Sequence, residues 1–201
     1  MKKILLMVAV AMMTATSVNA QDGYDDTKQE VAVSIGGLSN STWMSIGEDL
    51  GTIIASGGTA TYDDGKFTGP ISVEYFYHLD SKWGVGLIGV FTQEKKDMFF
   101  QKEKIGEAKN VYYTFMPAAK YNWLRKKNFG MYTKLAAGLS FLSQKEEMTD
   151  KSFEDRSESS VCFNFQASLL GMEFGSPYLR GFLELGVGEQ GLALVGVRCK
   201  F

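Results

Sequence analysis

The chain has 201 residues, 45% of them hydrophobic and 22% charged, with a net charge of −2. That length fits one domain, and that balance excludes a chain disordered throughout or one with a basic field for nucleic acid. Its 22 Gly, 14 Phe and 9 Tyr against 3 Pro favour strands and turns.

In chain order, the first element is "MKKILLMVAVAMMTATSVNA", residues 1–20. Lys2 and Lys3, an apolar run from Ile4 to Met13, and Val18-Asn19-Ala20 form the charge, apolar core and small-residue cleavage site of a secretory signal peptide. The run falls short of the roughly 20 residues that a spanning helix needs. Cleavage is expected after Ala20, and Gln21 in place of Cys argues against a lipoprotein anchor. Losing Lys2 and Lys3 takes the net charge from −2 to −4. Residues 21–28 read as a linker and 29–201 as the folded domain.

Eight segments then alternate with period two, which predicts strands over 29–38, 69–79, 83–92, 109–123, 129–143, 159–174, 178–187 and 191–201. Most reach the ~9–11 residues of a tilted membrane strand. Between them, 39–68, 93–108 and 144–158 read as long polar loops. The connectors 80–82, 124–128 and 175–177 read as tight turns, and the last one, around Gly188–Gln190, is short. Within 39–68 a short helix is expected near Met44–Leu50. Long loops at one end and turns at the other predict an all-β, eight-stranded antiparallel up-and-down transmembrane β-barrel. No later stretch is apolar enough for a membrane helix, so membrane residence would need strands.

Odd positions in the strand cores carry Val31, Ile35, Val73, Leu87, Phe115, Trp123, Leu135, Phe163, Leu169 and Val197, and no Asp, Glu, Lys or Arg. Even positions carry Glu74, Lys120, Lys134, Arg180, Glu184, Arg198 and Lys200, with many Gly, Ala and Ser. Eight strands enclose room for little more than their own side chains. The bulky apolar set therefore belongs outside, against hydrocarbon, and the small and charged set inside. A lysine or arginine at the lipid midplane would cost ~2–4 kcal/mol. The opposite orientation, a periplasmic lipocalin-like binder of apolar ligands, is the alternative. Pro117 in the fourth strand predicts a local bulge.

"MPAAKYNW", "LLGMEFG", "GFLELGVG" and the terminal "VGVRCKF", in that order and spacing, resemble the small outer-membrane β-barrel family of Gram-negative bacteria, the OmpX/OmpA-like group. The resemblance runs from about residue 29 to 201, plus the leader. It implies an outer-membrane location among phospholipid and lipopolysaccharide, a monomer, and delivery by the barrel-assembly machinery. It also implies that Val195, Val197 and Phe201 carry the C-terminal assembly signal.

The interior charges Glu74, Lys120, Lys134, Arg180, Glu184 and Arg198 must pair or meet lumen water. They read as a packing network; a positively biased path for small solutes, as a narrow channel or carrier, is the functional alternative. Catalysis is not expected. The only histidine, His78, lies roughly 20 Å along its strand from Ser72. The acidic stretches 22–30 and 62–66 lack calcium-loop spacing, so no metal or cofactor is expected. Cys162 and Cys199 fall on different faces near opposite ends, which predicts two free thiols. The expected role is structural or surface-interacting, without an open pore, and loop 39–68 is the candidate contact for a protein partner.

Overall fold

The computed structural model describes residues 27–42, 60–63, 67–100, 103–148 and 156–201. The signal peptide, most of the 21–28 linker and the Met44–Leu50 helix lie outside those residues. Nine strands follow in chain order: β1 (Gln29–Gly37), β2 (Ala60–Asp63), β3 (Phe67–His78), β4 (Trp83–Phe100), β5 (Glu103–Arg125), β6 (Phe129–Met148), β7 (Arg156–Gly175), β8 (Leu179–Gly188) and β9 (Ala193–Lys200). β2 is a short addition to the far end of β4. The other eight pair antiparallel with their neighbours, and β1 pairs with β9 to close an eight-stranded barrel.

The alternation in sequence becomes two faces of one sheet. In register, Phe163, Leu139, Phe115, Gly89, Val73, Val33 and Val197 form one outward row that passes from β7 through β6, β5, β4, β3 and β1 to β9. The inward residues of the same strands are buried. The turns that join strands at one end are built by local side chains. Asp80 Oδ1 accepts the N–H groups of Lys82 and Trp83, both at 2.7 Å, which shapes the β3–β4 turn. Ser176 Oγ accepts Leu179 N–H at 2.9 Å at the β7–β8 turn. There Gly175 has φ 145°, and a Cβ would lie 2.4 Å from the Leu179 carbonyl oxygen. Only glycine fits.

Two expectations change. Residues 39–68, 93–108 and 144–158 are not simply loops: β2 lies at Ala60–Asp63 and β3 begins at Phe67, β4 runs on to Phe100, β5 begins at Glu103, β6 runs to Met148 and β7 begins at Arg156. Pro117 causes no bulge. It stays in register opposite Leu87, and the β5–β6 register is unchanged across it, from Phe115↔Leu139 to Ala118↔Ala136. Met116 and Pro117 simply form no ladder pair with β6, so the missing N–H is absorbed as a gap. The bulges fall elsewhere. Trp123 is the extra residue of β5 against β6, and Leu169 is the extra residue of β7 against both neighbours. Thr133 Oγ1 donates to the Leu169 carbonyl at 3.0 Å, which holds that bulge. Each bulge reverses which parity points inward.

Candidate functional site

The circumference is apolar where the strands are shared by the whole ring. Phe163 is 69% exposed, Phe115 62% and Val197 43%, whereas Lys134, Arg180 and Glu184 are fully buried. The side chains Glu74, Lys120, Lys134, Arg180, Glu184 and Arg198 all point into the barrel, joined by Lys200. Val195 and Val197 point outward on β9, and Phe201 is half-buried. Phe201 and Gln29 exchange backbone hydrogen bonds, each 2.9 Å, across the β1–β9 seam.

The ionic interior is organised around two pairs of like charges. Lys120 lies opposite Lys134 on β5 and β6, and Arg180 lies opposite Arg198 on β8 and β9. Like charges directly across a ladder repel. Carboxylates from other walls of the barrel separate them. Lys134 Nζ donates to Glu74 at 2.6 Å and sits 2.7 Å from Glu184. Lys120 Nζ donates to Glu30 at 2.7 Å. Glu173 takes Arg180 at 2.6 Å, Arg198 at 2.8 Å, and the Lys200 ammonium.

Arg198 ties the groups together. It reaches Glu173, Glu74 at 3.4 Å and Glu30 at 3.4 Å. Its guanidinium lies over the rings of Phe182 at 4.5 Å and Tyr132 at 4.8 Å, while Lys120 lies 4.1 Å from the Tyr132 ring centroid. Buried cations over aromatic faces gain from the ring quadrupole. Tyr132 OH donates to Glu184 at 2.8 Å, and Ser168 Oγ also bonds that carboxylate. At the turn end, Arg180 Nη2 donates to the carbonyls of Lys126 and Lys127, at 2.7 and 3.0 Å.

The β8–β9 connector folds into the opposite mouth. Gln190 Nε2 donates to Glu74 at 2.7 Å, and Gln166 Oε1 accepts Gln190 N–H at 2.8 Å. Glu189 accepts Ser41 N–H at 3.1 Å, Ser41 Oγ at 2.5 Å and Asn164 Nδ2 at 2.8 Å. This carboxylate therefore holds the start of the first long loop against the barrel mouth. Phe76, Ile88, Val90 and Met116 fill the β3–β5 side of the interior.

Among the described residues the buried carboxylates are Glu30, Glu74, Glu173, Glu184 and Glu189. The buried cations are Lys120, Lys134, Arg180, Arg198 and Lys200. Five meet five, so the described interior lacks the positive bias on which the alternative channel reading drew. Glu30 and Glu173 were missed in the sequence for different reasons. Glu30 lies at the very start of β1, one residue before the alternating core. Glu173 is odd-numbered in a strand whose inward residues begin even; the Leu169 bulge turns it inside. The readable signal was the pair Leu169-Leu170, which breaks the alternation.

His78 Nε2 lies 3.1 Å from Glu30 Oε2, so the ring is part of this network, and Ser72 lies on the same strand. Cys162 and Cys199 are both free thiols. Among the described residues no group of three or more His, Cys, Asp or Glu is arranged to hold a metal ion.

No family model and no curated protein matches the chain. Solved structures do. The attachment invasion locus protein Ail of Yersinia pestis is 14% identical, with TM-score 0.43, over 88% of this chain and 99% of Ail. The outer membrane protein OprG from Pseudomonas aeruginosa is 12% identical, with TM-score 0.46, over 89% of this chain and 98% of OprG.

Proposed function

We propose that the protein is a monomeric integral outer-membrane β-barrel that works as a structural and surface-interacting element, without an open pore. One observation carries this reading: a closed barrel whose interior is sealed by paired charges and whose circumference is apolar. In water that circumference would be one continuous apolar patch, far beyond the few hundred Å² that soluble monomers expose. In a bilayer it faces its natural solvent, and closure leaves no unpaired edge in hydrocarbon.

The surface role rests on strand length. β5 has 23 residues, against the ~9–11 needed to cross the apolar layer. β4, β5, β6 and β7 therefore continue past the barrel as a sheet. β8 pairs with β7 only from Gln166 onward, and Glu189 N–H bonds the Phe165 carbonyl, so residues 156–164 have no described strand on that side. A sheet edge of this kind offers backbone donors and acceptors to a partner chain. Loop 39–68, anchored at Ser41, is the other surface offered to a protein partner. Lipopolysaccharide is the expected neighbour of the apolar belt at this end.

Residues 1–20 would direct export, and Val195, Val197 and Phe201 would be read by the barrel-assembly machinery. The test is threefold on one preparation. The unboiled protein should migrate faster than the boiled one on a denaturing gel. Protease added to intact cells should cut within 39–68 or 93–108. Planar bilayers should show no steady conductance. Extraction of the chain as a soluble protein by salt washes would sink the proposal, and a steady conductance would replace it with the channel reading.

A further inference from the structure

The apolar circumference is not uniform. Near the turn end, a groove of about 390 Å³ is lined by Trp83, Ala119, Tyr121, Trp123, Thr133 and Leu135. Register explains its shape. Trp83, Tyr121 and Thr133 form one outward row, and Val85, Ala119 and Leu135 form the next. Ala119 and Thr133 are the small members, so they make a floor between larger neighbours. Trp123, next on the same face of β5, is the far wall, 54% exposed. The near wall is rigid: the Trp83 and Tyr121 rings pack with centroids 4.8 Å apart.

The rim above this groove is basic. Lys82 directly precedes Trp83, and its carbonyl accepts Asn122 N–H at 2.7 Å, which fixes that turn beside β5. Lys126 and Lys127 follow Trp123 in the next turn, and their carbonyls are held by Arg180. All three lysine side chains are exposed. Among the described residues the acid on this rim is Asp80, which is engaged by the N–H groups of Lys82 and Trp83.

We infer that this groove and rim form a site for one anionic phospholipid, with an acyl chain along the Ala119–Thr133 floor and the phosphate among Lys82, Lys126 and Lys127. Aromatic walls at this depth suit the boundary between acyl chains and headgroups. The lysines select charge where the walls alone would accept any lipid. The inference rests on the membrane reading above and adds a specific ligand to it.

The experiment uses the mature chain, with Trp43→Phe to leave Trp83 and Trp123, in nanodiscs of phosphatidylcholine containing phosphatidylglycerol. Acyl chains are brominated on one lipid or the other, and tryptophan quenching is read at equal mole fraction. Phosphatidylglycerol should quench as though enriched about five-fold or more, the attraction of a single lysine near a membrane surface. Combining Lys82→Glu, Lys126→Glu and Lys127→Glu should remove the enrichment. Ala119→Leu, which fills the floor on a lipid-facing position, should do the same in a chain that still shifts on heating. Equal quenching by both lipids, or enrichment that survives Ala119→Leu, overturns the site and leaves the barrel reading intact. Absence of quenching by either lipid overturns both.

Discussion

The two halves of the ring differ. β8, β9 and β1 have 10, 8 and 9 residues, just enough to cross an apolar layer, whereas β4 to β7 have 18, 23, 20 and 20. The short half supplies Glu30, Arg180, Glu184, Arg198 and Lys200, and its one connector folds inward at the mouth. The long half supplies Ile88, Met116, Lys120, Lys134 and Glu173 to the interior and then continues past the barrel as a sheet. Closure belongs to all the barrel-forming segments, and display to the extensions of the long half alone. Changes within the barrel should cost folding, and changes in the extended part of the long half should cost contacts.

The largest effect is expected at Glu173, which joins cations from β8 and β9 and approaches Lys120 at 4.0 Å. Glu173→Gln removes the carboxylate that Arg180 and Arg198 share. Breaking a buried pair in this way costs ~3–5 kcal/mol, to be read as a lower urea midpoint in lipid. Next is the outward row: Val197→Arg should cost ~2–4 kcal/mol at mid-layer. Gly171→Val comes third. A Cβ there lies 2.3 Å from Tyr132 Cζ, so the ring carrying Lys120 and Arg198 must move. Overpacking of this kind costs ~1–3 kcal/mol.

By contrast, trimming residues 96–107 from the β4–β5 extension should leave heat-modifiable migration unchanged while abolishing partner contacts on intact cells. The smallest effect belongs to Asp80. The Trp83 N–H, and then that of Lys82, holds its carboxyl below the usual aspartate range. With the folded value depressed, its contribution is present above the unfolded pKa, about 3.9, and is lost as pH falls through the folded value. The Trp83 amide shift in a pH titration should therefore stay constant through the usual aspartate range and move only below it.

The barrel core was legible because lipid and a packed lumen impose opposite demands on alternate residues. Val33, Val73 and Val197 against Glu74, Lys134 and Arg198 show that contrast directly. The extension was not legible for the same reason inverted. Beyond the apolar layer an outward residue no longer has to be apolar, so "TQEKKD" and "GEAKN" lose the alternation that marks a strand. Glu173 and Arg125 were hidden by bulges at Leu169 and Trp123, which change parity without changing composition. Arg125 consequently turns toward the barrel end and donates to the Thr27 carbonyl at 2.8 Å. The inward fold of Glu189 and Gln190 depends on contacts with Ser41, Glu74, Asn164 and Gln166, 24 or more residues away in sequence, which no local pattern encodes.

Paramagnetic broadening in lipid nanodiscs tests the orientation of the two faces most directly. A probe on the acyl chain should broaden Val33, Val73, Phe115, Leu139 and Val197, and a water-soluble gadolinium chelate should leave Lys134, Gln166, Glu184 and Arg198 untouched. Broadening of Lys134 and Arg198 by the chelate, with Val197 and Phe115 shielded from the acyl-chain probe, would contradict the account.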